Sequence, residues 1–228
     1  MTISPRHRLP LVFADRCAGC NRPGPALCDS CCFSLASGRA TGLADDVLAA
    51  LAYEGVARRS ILALKFRNHR AVARHLAGLM VDLLVRTAGA DRIDLVTWAP
   101  TSAGRSQRRG YDQAELLARA VARQLRVPCR RLLYRAHGAP QAGRSREQRL
   151  AGPRFWGTAP RRCCRVLGVD DVVTTGATLR AARAELLAAG VTSVVLLAAA
   201  AAPQRADIRT DIRVGRSGAA THHLAEAS

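Results

Sequence analysis

The sequence predicts an α/β protein, with a parallel sheet flanked by helices and a small four-cysteine knuckle at its N-terminus. Three observations predict it. Short apolar runs bounded by Gly, Pro or charged residues alternate with longer segments whose apolar residues recur every three or four positions. That is the pattern of strands joined by right-handed helical crossovers. One run, Val166–Val169, leads directly into Asp170-Asp171, a hydroxyl-rich glycine turn and a helix, the arrangement that places ligands at the carboxyl edge of a sheet. Two Cys-x-x-Cys pairs, Cys17/Cys20 and Cys28/Cys31, precede all of this.

The chain has 228 residues, of which 49% are hydrophobic but only 4% aromatic, so it buries a core built from Val, Leu and Ala. The longest apolar run, Val194–Ala202, stops at Pro203 and falls short of the roughly 20 residues needed to cross a bilayer. Met1–Asp15 contains only a short apolar stretch, Leu9–Ala14, and no convincing cleavage site, which argues against secretion. The expected location is cytoplasmic. Net charge is +18, from 35 basic against 17 acidic residues, and Lys65 is the only lysine. Such a surface attracts polyanions with strong salt dependence. Few aromatics are available to interleave with the arginines as stacking partners for a single strand.

Taken in order, the cysteines come first. Four thiolates in two Cys-x-x-Cys pairs, tightened by Pro23, Gly24 and Pro25, suit a structural tetrahedral Zn²⁺ held by Cys17, Cys20, Cys28 and Cys31. A redox role for one pair leaves the second unexplained, and disulfides fit a cytosolic chain poorly. Cys32 is an alternative to Cys31, which keeps the two-residue spacing. Cys129, Cys163 and Cys164 read as small apolar core residues. Residues 1–40 form the knuckle region, 41–203 the main domain and 204–228 a flexible tail. His222-His223 in that tail reads as incidental.

Asp45–Thr87 has helical periodicity, interrupted by Tyr53-x-Gly55. Asp94–Ala99 is a strand ended by Pro100. Residues 101–110 form a basic, glycine-containing loop offering Thr101, Arg105, Arg108 and Arg109. A helix over Asp112–Arg126 follows, then a short strand at Arg131–Tyr134. Residues 135–160 are long, polar and arginine-rich, as functional or mobile loops are, and 135–150 are a candidate lid. The motif strand, a helix over Ala177–Ala189 stopped by Gly190 and a strand over Thr192–Ala199 complete the domain.

The motif carries the chemistry. Thr174, Thr175, Gly176, Ala177 and Thr178 combine hydroxyls, a permissive glycine and helix-terminal N–H groups, which together suit a phosphate. Asp170 and Asp171 suit ribose hydroxyls or a Mg²⁺ bridging to them. An ordinary strand–turn–helix with a threonine cap needs one hydroxyl rather than three, and no adjacent acids. The run Val169-Asp170-Asp171-Val172-Val173-Thr174-Thr175-Gly176-Ala177-Thr178 resembles the 5-phosphoribosyl 1-diphosphate (PRPP) motif of the type I phosphoribosyltransferases. On that resemblance the fold is the type I phosphoribosyltransferase-like one. The 170–178 loop then holds ribose 5-phosphate, and Thr101, Arg105, Arg108 and Arg109 hold pyrophosphate.

The chain from about residue 15 to 200 resembles one family more closely, the ComF family of phosphoribosyltransferase-like proteins. The likeness rests on the four cysteines, Tyr53-x-Gly55, Leu64-Lys65-Phe66 and Arg108-Arg109-Gly110-Tyr111-Asp112-Gln113-Ala114-Glu115-Leu116-Leu117-Ala118. It continues through Gln141, Arg144 and Gln148-Arg149 to the 169–178 run. The chain departs from the family's Val-Pro-Val-Pro with Thr97-Trp98-Ala99-Pro100. The resemblance implies Mg²⁺-dependent transfer of phosphoribose from PRPP to an unidentified acceptor, with Gln141, Arg144 and Arg149 in the lid. It also implies association with natural competence and DNA uptake, with competence-machinery proteins as partners. The competing reading is a non-catalytic accessory protein that binds single-stranded DNA and keeps the PRPP fold as scaffold or sensor.

Overall fold

Four parallel strands in the order β1-β6-β5-β2 organise the molecule: β1 (Val47–Ala52), β2 (Leu95–Trp98), β5 (Arg165–Val173) and β6 (Ser193–Ala201). The computed structural model describes residues 16–38, 46–67, 69–88, 93–135, 153–160 and 165–202. Expectations for Gln141, Arg144, Arg149, Cys163, Cys164 and the 204–228 tail lie outside the described residues.

Strand sequences such as VLAALA and SVVLLAAAA are almost wholly apolar because both faces of a parallel sheet are covered. On one face Val96, Trp98, Leu167, Val169 and Leu197 meet helices α2 (Gly55–Phe66), α3 (Val72–Ala88) and α5 (Gln113–Leu125) through Ile61, Leu64, Leu76, Met80, Leu117 and Val121. On the other, Leu95, Val166, Leu196 and Ala198 meet helix α6 (Ala177–Ala188) and a two-stranded ribbon through Leu179, Leu186, Leu133 and Phe155. Neighbouring residues alternate between the two cores, as a strand's period of two requires.

Three expectations are corrected. Residues 47–52 are strand β1, paired in parallel with β6 from Val47↔Leu196 to Ala52↔Ala201, where the sequence predicted helix. The loop at 101–110 is largely a short helix, α4 (Ala103–Arg109). The strand expected at 131–134 is β3 (Leu133–Arg135), which leaves the main sheet and pairs antiparallel with β4 (Phe155–Gly157). Before it turns away, the chain follows the open edge of β2 through Val96 N–H to Pro128 O and Arg130 N–H to Val96 O, each 3.0 Å. The buried Thr97 hydroxyl accepts from Leu132 N–H at 3.2 Å.

The knuckle region, including α1 (Asp29–Ala36), is not a separate bead. Cys17, Ala18, Leu27, Cys31 and Leu35 belong to the same buried cluster as Ile61, Leu64 and Leu76. Arg59 of α2 donates through Nε to the Gly19 carbonyl.

Candidate functional site

The register between β2 and β5 builds the site. Leu95 pairs with Val166 and Trp98 with Val169, after which β2 ends. β5 runs on beside β6 as far as Val173↔Ala201. Asp170 and Asp171 therefore stand on a strand supported on one side and open on the other. The chain leaving β2 crosses that opening, and Lys65, at the end of α2, reaches it from the remaining side. A cleft of about 300 Å³ results, lined by Lys65, Ala99, Pro100, Thr101, Arg105, Arg109, Asp112, Gln113, Ala114, Arg135, Asp170, Asp171, Val172, Thr174 and Thr178.

Of the eleven described residues singled out by sequence for this site, seven converge there. Thr101, Arg105 and Arg109, from the chain leaving β2, and Asp170, Asp171, Thr174 and Thr178, from β5 and the turn after it, all line the cleft. Arg108 does not join them; its exposed side chain turns back along α4, with Nε 3.2 Å from Gly104 O. Thr175, Gly176 and Ala177 shape the turn without lining the cleft. Gly176 is left-handed (φ 76°) at the start of α6, a conformation that glycine adopts without cost. Thr175 Oγ1 accepts from Ala177 N–H at 3.4 Å. Arg180 folds back over this turn, donating to the Thr175 carbonyl and pairing with Asp46 at 3.2 Å.

Three polar or charged cleft residues, Lys65, Asp112 and Gln113, were not singled out by sequence as site residues, and Arg135, the first residue of the candidate lid segment, lines the cleft as well. Lys65 Nζ lies 2.9 Å from Asp171 Oδ2. Asp112 Oδ1 accepts from Ala114 N–H at 3.0 Å, capping α5. Gln113 Oε1 receives Arg109 Nη1 at 2.6 Å, and the Arg109 guanidinium lies 4.7 Å from the centre of the Phe66 ring. An Asp opening a helical run is a readable cap. The reach of Lys65 across the sheet end is set by tertiary packing, for which the sequence carries no local signal.

The carboxylates share a low-dielectric environment. Burial, reinforced by the charge of Asp171, pushes Asp170 well above the ordinary carboxylate range, although Asp171 N–H and Lys65 oppose the shift. Burial also raises Asp112, against its backbone hydrogen bonds. Two acids this close resist ionising together, so the site is built to be completed by positive charge.

No family model matches the chain, and no curated protein matches it. Solved structures do. The chain is similar to UMP synthase from Leishmania donovani at 22% identity and TM-score 0.36, over 62% of this chain and 23% of that one, so it spans under a quarter of that protein's length. It is similar to orotate phosphoribosyltransferase from Aeropyrum pernix at 19% identity and TM-score 0.35, covering 70% of this chain and 82% of that one. Adenine phosphoribosyltransferase from Leishmania tarentolae gives 16% identity and TM-score 0.39, with 70% and 79% covered.

The cysteines form a second constellation. The sulfurs of Cys17, Cys20, Cys28 and Cys31 all lie within 4.8 Å of one another. Cys17–Cys28 and Cys20–Cys28 are each 3.7 Å apart. A tetrahedron with Zn–S bonds of about 2.3 Å has edges of about 3.8 Å, so the four thiols could hold zinc. Burial acts to raise Cys17, but N–H groups of Cys20, Cys28 and Gly19 outweigh it and bring the thiol down to about 6. Burial and the neighbouring thiols push Cys31 up. Cys32 stands apart, its sulfur 3.9 Å from His75 Nδ1.

Proposed function

We propose that the cleft binds PRPP with Mg²⁺ and transfers its phosphoribosyl group to an acceptor nucleophile. The observation that carries this reading is the convergence of Asp170, Asp171, Thr174 and Thr178 with Thr101, Arg105 and Arg109 on one cleft. Ribose hydroxyls donate to the aspartates, the 5-phosphate rests on the 174–178 turn and the start of α6, and the diphosphate lies toward Arg105 and Arg109. The carboxylates are hard oxygen ligands suited to Mg²⁺, which commonly completes its shell with substrate phosphates. When bound, the ion neutralises charge developing on the leaving diphosphate. The chain's own residues orient the ribose and stabilise the separating charges by fixed placement. On the resemblance, Gln141, Arg144 and Arg149 belong to a lid, whose part in this reading is to exclude water from a reactive anomeric carbon.

Titrating PRPP with and without Mg²⁺, on the wild type and on Asp170→Asn/Asp171→Asn, tests the reading. The double variant should fold and lose PRPP affinity. Absence of Mg²⁺-dependent PRPP binding by the wild type would remove the basis for it.

A second reading, binding of single-stranded DNA, is favoured by one observation that the aromatic content hid. Tyr134 and Trp156 stack across the β3–β4 ribbon with ring centres 5.8 Å apart and planes 11° apart. The Arg131 guanidinium lies 4.7 Å over Tyr134, and Trp156 is 46% exposed. Exposed Arg130 and Arg154 flank the stack in sequence, as a sequence-tolerant single-strand platform requires. Association with DNA uptake and competence-machinery partners belongs to this reading.

A further inference from the structure

Among 35 basic residues Lys65 is the only lysine, and it is the one that reaches the aspartate pair. Its ammonium is a compact point charge with three donors, where arginine would bring a broad planar fork. With Asp171 at 2.9 Å and side-chain exposures of 17% and 14%, the pair is largely withdrawn from solvent, unlike surface ion pairs of little consequence.

The geometry around Lys65 is fixed from two directions. The carbonyl of its buried neighbour Leu64 accepts from the Tyr111 hydroxyl. Its other neighbour, Phe66, packs under the Arg109 guanidinium. The end of α2 is thus tied to the end of α4 and the segment joining it to α5. One ammonium N–H is used on Asp171; two remain, on a side chain that lines the cleft.

Three carboxylates, Asp112, Asp170 and Asp171, line a cleft assigned to a polyanion. Asp112 is occupied by backbone N–H groups, and Asp170 Oδ1 by the Asp171 N–H at 2.8 Å. Asp171 depends on Lys65. The geometry points to Lys65 as a positioning residue: it holds Asp171 as the acceptor for a ribose hydroxyl and supplies charge that the aspartates would otherwise draw entirely from a divalent cation. This rests on the PRPP reading and adds to it a resident cation at the ribose end. Binding of the ribose 5-phosphate moiety accordingly keeps a component that needs no Mg²⁺.

Calorimetric titration of ribose 5-phosphate and of PRPP, each with and without Mg²⁺, tests this on the wild type, Lys65→Met, Asp171→Asn and the double variant. Lys65→Met should weaken Mg²⁺-free ribose 5-phosphate binding by about ten-fold or more, the scale of a lost charge-assisted hydrogen bond. Its loss should not add to that of Asp171→Asn, because Lys65 acts through Asp171. Thermal melting separates architecture from binding. Lys65→Met should melt lower for want of a partner to Asp171, and the double variant should recover the melting temperature but not the affinity. Wild-type affinity in Lys65→Met, or additive losses, would overturn the inference while leaving PRPP binding intact. A wild type that binds neither ligand overturns both.

Discussion

Asp112 Oδ2 accepts the backbone N–H of Thr101 at 2.8 Å while Oδ1 of the same carboxylate caps α5 through Ala114 N–H. One side chain therefore splints the chain leaving β2 onto the start of the helix that covers β2 and β5. The Thr101 N–H is thereby already used. On the PRPP reading, contacts from this side of the cleft to a diphosphate come from groups other than that N–H, among them the Thr101 hydroxyl and the Arg105 and Arg109 side chains that line the cleft.

Removing the splint should loosen the site and the fold together. Asp112→Ala deletes a helix cap and orphans a second N–H, and should cost about 1–3 kcal/mol. Asp112→Asn keeps one good acceptor oxygen and should cost less. Urea unfolding midpoints of the two variants, with PRPP titrations beside them, check the order; equal stability of Asp112→Ala and wild type would contradict the assigned role.

The motif strand, its turn and α6 were legible because each local signal agrees with the fold: an apolar run, then acids, glycine and hydroxyls, then helical periodicity. The spacing of the cysteines likewise carried the cluster. β1 was not legible. Ala49, Ala50, Leu51 and Ala52 favour helix by propensity, and only the need for small side chains in a strand covered on both faces makes them strand. Arg105, Arg108 and Arg109 read as loop because Gly104 and Gly110 bracket them, yet five residues between glycines suffice for helical turns. Lys65 reaches the cleft from a segment distant in sequence, and no local pattern encodes that.

The aspartate pair should shape the pH dependence of folding. Asp170 is raised well above its ordinary 3.8 by burial and by Asp171, so the native state favours its protonated form. That contribution is full below the unfolded-state value and is lost as pH rises through the native one. Asp170→Asn mimics the protonated group and still accepts the Asp171 N–H. It should therefore gain on the wild type as pH increases from about 4, the unfolded aspartate value. Denaturation midpoints measured at several pH values in metal-free buffer would reveal the gap; a pH-independent difference would assign no such role to Asp170.

The cysteine cluster should stabilise the whole domain, because Cys17 and Cys31 share a buried cluster with Ile61 and Leu64. Gly19 allows the close approach: a Cβ there would come within 2.6 Å of Cys31 Sγ and 2.9 Å of a Val56 methyl. Gly19→Ala should therefore lower metal occupancy as Cys17→Ser does, although it removes no ligand. Metal analysis should give one zinc per wild-type chain and less for both variants. Chelation should lower the single melting transition of the domain; a melting curve unchanged by chelation would make the cluster energetically separate.

Trp156 offers a direct readout for the single-strand platform. The chain has two tryptophans; Trp98 is only 4% exposed in the core whereas Trp156 is 46% exposed on the ribbon, so contact quenching by an oligonucleotide reports on Trp156. Oligothymidylate should quench tryptophan emission with an affinity that falls steeply as salt rises, because arginines displace counterions from the phosphates. Trp156→Ala should remove the signal and, followed by anisotropy of a labelled strand, weaken binding by about 1–3 kcal/mol, the worth of one stacked base. Arg131→Ala should weaken it less and flatten the salt slope. Gly157 adds a structural control, since a Cβ there would come within 2.7 Å of the Glu185 carbonyl on α6. Gly157→Ala should thus displace the ribbon and disturb binding while Trp156 itself is present. Strong binding that survives Trp156→Ala would move the nucleic-acid surface away from the β3–β4 ribbon.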